Sequence, residues 1–284
     1  MTARSLISTG RRARWRSVYL GALALAVAAF FFWPIFYMIA MSLRTAEDIM
    51  DTPLGLPLAP TLDNYRGVLS SMPYWRSIAN TIVITVSTTL LVSLLSSLAA
   101  YPLARLRGLL STLIYLFLTL GLTIPLFIGI TPLYILLRDL HLLNTYVGVI
   151  IAYTALNLPL GVFFYTSFLK SIPQELEDAA VIDGCNAIQV YWHVILPLLR
   201  PITGTIALFV TLSVWNDLVY PLLLLTDESK FTITVAVFRF LGTHNIDPTK
   251  LFPASVLGSL PMLILFFVLQ RQIVNSISAG AVKG

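Results

Sequence analysis

Six apolar runs divide this sequence, and each reaches the roughly 20 residues that a helix needs to cross the hydrocarbon layer of a bilayer. They cover residues 18–43, 77–104, 109–137, 148–168, 201–225 and 251–270. Inside hydrocarbon every backbone N–H and C=O must find its partner within the chain, which leaves helices or a closed barrel. None of the runs alternates apolar and polar residues as a barrel strand does. The expectation is an all-α membrane protein with six transmembrane helices. Composition agrees: 57% of residues are hydrophobic and only 11% are charged, against about 25% charged in soluble domains. A soluble enzyme and a disordered tail are thereby excluded.

Arg11, Arg12, Arg14 and Arg16 precede the first run. That run exceeds the ~7–15 residues of a signal-peptide core and ends without a small-x-small cleavage pattern, so it reads as a retained first span. Residues 1–17 then form a cytoplasmic segment, 18–274 the six-helix domain and 275–284 a cytoplasmic tail. With the N-terminus inside, 11 of the 18 Lys/Arg fall on cytoplasmic segments and 7 on outer ones. This matches the positive-inside rule and gives an N-in, C-in orientation. The arginine cluster is then a topology signal and not a nucleic-acid site. Pro34, Pro102, Pro125, Pro132, Pro159 and Pro221 lie within the runs. Each removes a backbone donor, and packing geometry explains them more readily than gating hinges. Cys185 is the single cysteine, which excludes an internal disulfide and a CxxC pair. His141, His193 and His244 are far apart in sequence and have no metal-ligand spacing.

The segment 169–200 is the large inner loop of this topology. Ser171 followed by Gln174 has the pattern of a capping box, and Pro173 suits a first helical turn. Glu175, Glu177 and Asp178 follow, where a helix dipole favours negative charge. Leu176, Ala179 and Ala180 make a narrow apolar stripe, and Gly184 is a natural stop. A second helix is expected from about Asn186 to Leu196, with Pro197 turning the chain back to the membrane. Small side chains at 179, 180 and 184 would let another surface approach closely. Docking is favoured over resting on lipid, because an anionic leaflet repels the acids.

These residues resemble a known motif. Asp178-Ala179-Ala180, then Gly184, then nine residues and Val194-x-Leu196-Pro197 is similar to the EAA loop of ABC-importer permeases. Asp178 stands where the family has Glu, and Val194 where it has Ile. The flanking residues, the Trp215-Asn216-Asp217 run and the ending Ser278-Ala279-Gly280-Ala281-Val282-Lys283-Gly284 resemble the carbohydrate-uptake (maltose-type) branch. The resemblance covers essentially the whole chain and implies a type I ABC-importer permease fold in the bacterial cytoplasmic (inner) membrane. It implies as partners a second homologous permease, two ATP-binding subunits, an extracytoplasmic solute-binding protein and a carbohydrate substrate. It makes Glu175, Glu177, Asp178, Ala179, Ala180, Gly184, Leu196 and Pro197 the ATPase-coupling residues. The sequence has no Gly-x-x-x-x-Gly-Lys-Ser/Thr phosphate loop. No cofactor is expected in this chain; ATP and Mg would sit on the partner subunits.

Asp217 is the one carboxylate well inside a run, and an intramembrane ionisable residue is a functional candidate by default. With Trp215, Asn216 and Tyr220 it offers polar groups to sugar hydroxyls and rings to sugar C–H faces. The competing reading is an Asp217 held by a neighbouring helix. Asn157 is a further polar residue in a span, whereas Ser87, Ser93, Ser96 and Ser97 suit close helix contacts. Two other functions stand beside sugar import: an ABC permease for a non-sugar solute, and an ion-coupled secondary transporter. The second would need a relay of buried acids or histidines, and one aspartate does not make a relay.

Overall fold

Four of the six runs wind into helices long and apolar enough to span a membrane: Val18–Ser42, Tyr74–Arg105, Tyr146–Leu169 and Pro248–Phe267. The structure is a computed structural model that describes the backbone of residues 4–241 and 247–281. Side chains are described within those limits from 18 to 267, Leu126 excepted. Among the described residues all regular structure is helical. His244 and residues 282–284 lie outside them, as do the side chains of the N-terminal arginines and of the ending from Ser278. The chain forms two compact units, 1–71 with 240–260 and 72–239 with 261–284.

The first unit holds α1 (Arg4–Ser42), α2 (Ala46–Asp51) and α3 (Asp63–Ser71). The expected N-terminal segment 1–17 is continuous with the first span from Arg4 onward. Arg44, just past α1, is wholly buried. Its Nε donates to Asp48 Oδ2 at 2.8 Å and its Nη2 to Asp48 Oδ1 at 2.9 Å. Nη2 also reaches the Thr52 carbonyl and hydroxyl, both at 2.7 Å. One guanidinium therefore closes the loop 44–52 around itself. Thr45 caps α2 by accepting from Asp48 N at 3.2 Å. Asn64 Nδ2 donates to the carbonyls of Ser42 and Arg44, at 3.1 and 2.7 Å, which ties α3 to the end of α1.

The second unit is built on α4 (Tyr74–Arg105) and α7 (Tyr146–Leu169). Its buried stripe on α4 steps by three or four residues through Ser77, Thr81, Ile84, Thr88, Val92, Ser96 and Ala100. Small polar side chains at this spacing let helices approach in lipid, where no hydrophobic difference drives them together. Gly161 on α7 marks a close approach to α4. A Cβ there would lie 2.3 Å from Ser96 Oγ and 2.7 Å from Ser96 Cβ. Against this pair packs α10 (Arg200–Asn216), through its buried stripe Ile206, Val210 and Val214.

Two of the runs are broken. The run 109–137, expected as one span, divides into α5 (Leu109–Leu120), a short 3₁₀ turn at Leu126–Gly129 and α6 (Ile130–Asp139). Pro125 causes the break: it has no N–H to donate and disfavours helical geometry in the residue before it. Gly121, the residue after α5, lies close against α7: a Cβ there would meet Pro159 Cγ at 2.7 Å. The run 201–225 likewise divides at Asp217 into α10 and α11 (Val219–Leu224). The loop after α6 turns on Asn144, whose φ of 56° is left-handed. Its N–H donates to Leu224 O at 2.8 Å, and its Oδ1 accepts from Thr226 N and Asp227 N at 3.1 Å each.

Two predictions follow from this packing. Gly161→Leu forces Ser96 aside, and the resulting strain of about 1–3 kcal/mol lowers the melting temperature in detergent. Gly161→Ala meets the same Ser96 atoms and is also destabilising; pairing it with Ser96→Gly recovers most of that loss, which a thermal-unfolding cycle of Gly161→Ala, Ser96→Gly and the double variant reads. The second concerns pH. Hydrogen bonding to Arg44 holds the Asp48 carboxyl below its ordinary 3.8. A depressed carboxylate stabilises the folded loop above its unfolded pKa and loses that effect as pH falls through the folded one. Amide protection across 44–52, taken relative to intrinsic exchange at each pH, therefore holds from neutral pH down and is lost only below about pH 3.8.

Candidate functional site

The loop between α7 and α10 carries α8 (Glu175–Ile182) and α9 (Ala187–Leu198). The expected capping box of Ser171 and Gln174 does not form. Ser171 Oγ donates to Phe168 O at 2.7 Å instead, finishing α7, and Gln174 precedes α8 without a side-chain cap. Gly184 does end α8, with φ at +88°. Nothing lies within 4 Å of where its Cβ would be, so the backbone conformation and not lack of space demands glycine. A capping box does occur two residues later: Gln189 N donates to Asn186 Oδ1 at 3.0 Å, and Asn186 N to Gln189 Oε1 at 2.8 Å. The Asn-x-x-Gln spacing was readable in the sequence and was missed. Pro197 does not turn the chain. It sits inside α9, and the bend of 71° to α10 falls at the buried Leu199.

The three acids of the first turn of α8 have different surroundings. Glu175 and Asp178 are exposed, as is Ala179, while Ala180 is half-buried against the core. Glu177 is buried. Its Oε1 takes Arg105 Nε at 2.6 Å, and its Oε2 takes Tyr101 OH at 2.9 Å. Arg105 continues to the Leu169 and Ile172 carbonyls at 3.0 and 3.2 Å. Tyr191 of α9 meets Ser97 of α4, oxygen to oxygen at 2.7 Å. Arg105, Tyr101 and Tyr191 were not singled out from the sequence, because no local spacing connects them to Glu177.

The outer side of the same loop is apolar where no core covers it. Ile182 is 85% exposed and Ile188 70%, joined by Val181, Leu176 and Trp192. Exposed apolar residues on a pinned helix pair mark this face as a candidate contact surface. Leu196 is half-buried and Pro197 exposed.

At the break in the fifth run lies a cleft of ≈ 310 Å³. Asn216, Asp217 and Tyr220 line it, as expected, together with Tyr153, Asn157 and Ser213. Trp215 does not: it is buried, and its carbonyl accepts from Thr234 Oγ1 at 2.8 Å. Asp217 Oδ2 accepts from Tyr153 OH at 2.7 Å. Its two oxygens also accept from the first N–H groups of α11, Val219 at 3.1 Å and Tyr220 at 3.3 Å. The aspartate thus holds the break open and presents amide, hydroxyl and aromatic groups beside it. The side chains of Tyr153 and Tyr220 pack edge to face, with centroids 6.0 Å apart. Among the described residues no three His, Cys, Asp or Glu side chains converge as a metal site would require.

Known proteins resemble this chain in sequence and fold. Residues 92–278 match the family described as binding-protein-dependent transport system inner membrane component. The diacetylchitobiose uptake permease NgcG of Streptomyces coelicolor is 34% identical over 88% of this chain and 83% of its own length. The melibiose/raffinose/stachyose import permease MelC of Bacillus subtilis is 34% identical over 96% of this chain and 100% of its own. A crystal structure of a bacterial ABC transporter that imports the acidic polysaccharide alginate contains a chain superposing with a TM-score of 0.80. That chain is 25% identical, and the match covers 92% of this chain and 97% of that one.

The cap at Asp217 gives a test. Asp217→Ala leaves two backbone donors without acceptors and lowers stability in detergent by about 0.5–2 kcal/mol. Asp217→Asn, which retains an acceptor, loses less. Tyr153→Phe and Asp217→Ala remove the same bond, so thermal unfolding of the double variant shows less than the sum of the single losses.

Proposed function

This chain belongs to the binding-protein-dependent transport system inner membrane components, and from that premise we propose that it is the permease subunit of an ATP-driven importer of a sugar or oligosaccharide. Relatives named for diacetylchitobiose, for melibiose, raffinose and stachyose, and for starch degradation products support the carbohydrate class. The chain is a transport subunit and not itself an enzyme. In this reading it crosses the bacterial inner membrane six times, N-in and C-in, with the third and fifth spans broken at 121–125 and at Asp217. A second permease completes the pathway, an external binding protein delivers the sugar, and ATP with its Mg is bound and hydrolysed by two partner subunits.

The observation that carries the coupling is the outward apolar face of α8 and α9. Ile182, Ile188, Val181 and Trp192 give an ATPase subunit something to grip, while Glu175 and Asp178 offer acids at its rim. The stop at Gly184 keeps the turn between the two helices slim. A partner can shift an access equilibrium only through contacts that differ between the two states. Closure of the ATPases moves this face, and the helices joined to it follow. The cleft at Asp217, Asn216, Tyr153 and Tyr220 is then a stretch of the sugar's path, where hydroxyls meet polar side chains and ring faces.

Proteoliposomes holding the complete complex test the reading. Uptake of a labelled oligosaccharide requires internal ATP and the binding protein, and it survives collapse of proton and sodium gradients. Uptake that stops with the gradients and ignores ATP overturns it; ATP-driven uptake of a non-sugar solute alone overturns the substrate class. Ile182→Glu and Gly184→Trp insert into the membrane normally but abolish substrate-stimulated ATP hydrolysis, because each spoils the docking face. Normal hydrolysis and transport in both variants would exclude α8 and α9 as the contact.

A further inference from the structure

The docking loop is joined by the chain to α7 and α10 alone, yet its strongest internal tie runs to α4. The Arg105–Glu177 pair is largely withdrawn from solvent, its side chains 14% and 9% exposed. Arg105 sits in the last turn of α4, Glu177 in the first turn of α8. The same guanidinium takes the carbonyls of Leu169 and Ile172, where α7 ends, as a cation at a helix C-terminus should. One side chain therefore joins the ends of three segments. Tyr101 adds a second bond to Glu177, and Ser97 and the ring of Tyr101 meet Tyr191 of α9.

A buried ion pair is a poor source of net stability, because desolvating both charges offsets most of their attraction. What a guanidinium contributes is direction: its planar fork binds several acceptors in one fixed geometry. The far end of α4 is equally fastened. Asn80 Nδ2 donates to the carbonyls of Ser229 and Phe231 at 3.0 Å each, its Oδ1 accepts from Tyr146 OH at 2.8 Å, and Thr81 Oγ1 accepts from Ile233 N at 2.9 Å. From Asn80 to Arg105 the helix runs roughly 37 Å at 1.5 Å per residue. It can carry a displacement of the loop to the segment 229–233 at the opposite end.

We propose that Arg105 is a positioning residue that makes α4 move with the docking loop, so that the second span transmits the force of the ATPases although no stretch of chain joins it to them. The proposal rests on the loop being the ATPase contact. Without the pair, α8 still docks and the ATPases still turn over, but α4 no longer follows. Arg105 touches neither substrate nor nucleotide in this account; it acts through Glu177.

The test compares uptake per ATP hydrolysed in proteoliposomes of the complete complex. Glu177→Gln and Arg105→Met each lower that ratio at least about tenfold while the ATPase subunits still co-purify; Arg105→Lys, which keeps the charge but not the fork, falls between. The double variant Arg105→Met with Glu177→Met separates positioning from stability: its melting temperature stays near that of the wild type and its ratio stays low. Ile206→Ala, a core truncation in the same unit, does the reverse. A double variant that transports as efficiently as the wild type overturns the proposal. Hydrogen exchange supplies a readout that needs no transport: the last turn of α4 and α8 open together in the wild type and separately in the double variant. Coupled opening in the wild type and separate opening in the double variant, in a complex without ATP-driven uptake, uphold the tie and sink the functional reading. Unchanged opening in the double variant sinks the tie itself.

Discussion

The close crossing of α4 and α7 is the contact on which the larger unit rests. Gly161 lets Ser96 approach so near that no side chain fits between the helices. Ser96 keeps its own hydroxyl on the carbonyl of Val92, four residues back, which leaves the contact surface without an unsatisfied donor there. In lipid such a crossing replaces the hydrophobic drive that holds soluble cores together, because lipid tails are as apolar as leucine. The cleft and the loop that carries α8 and α9 both hang from these two helices. Tyr153 and Asn157 bring α7 into the cleft, Arg105 and Tyr101 bring α4 into the docking loop, and α10 packs along both.

The breaks in the third and fifth runs obey the same constraint from the other side. A helix interrupted in hydrocarbon exposes backbone groups that water cannot reach, so each break must supply its own partners. At 121–123 the N–H groups turn back on the carbonyls of Leu118, Thr119 and Leu120, and the Thr119 and Thr123 hydroxyls cover carbonyls of the same stretch. At 217 a side chain does the work: the Asp217 carboxylate accepts the freed N–H groups of Val219 and Tyr220. The same choice creates the cleft, since a carboxylate with a tyrosine donor beside it leaves polar groups facing open space. The cleft is here a by-product of satisfying the backbone.

Much of this was legible in the residues. The runs at 18–43, 77–104, 148–168 and 251–270 became helices with ends shifted by a few residues, because length and apolarity alone decide that outcome. Gly184 was legible as a stop, since a left-handed turn after a helix has few other occupants. The interruptions were harder. Pro125 and Pro159 looked alike as prolines in apolar runs, yet α7 continues through Pro159 while the chain breaks before Pro125. Pro159 lies where α7 comes close to Gly121, a contact between distant residues that no local pattern encodes. Trp215 failed for a related reason: the next residues, Asn216 and Asp217, line the cleft, but the turn of the helix sends the side chain before them elsewhere. Glu177 looked like one more surface acid of α8 until its partner, 72 residues away, was in view.

The rigidity of the docking loop and the placement of its bend belong together. α9 is capped at its start by Asn186 and Gln189, α8 is pinned by Glu177, and Tyr191 and Ile195 are buried beneath them. A contact that transmits force must not deform, since a soft loop would absorb the displacement it receives. The remaining junction of the loop is at Leu199, where α9 meets α10 at 71°. Leu199 carries its own backbone bond to Ile195 and a fully buried side chain, so that angle is defined by packing and not by a tether to solvent. Packed contacts switch between discrete arrangements more readily than they stretch. The loop is thus fastened by polar bonds to α4 and α7 and by packing at its junction with α10, the helix whose far end is a wall of the cleft.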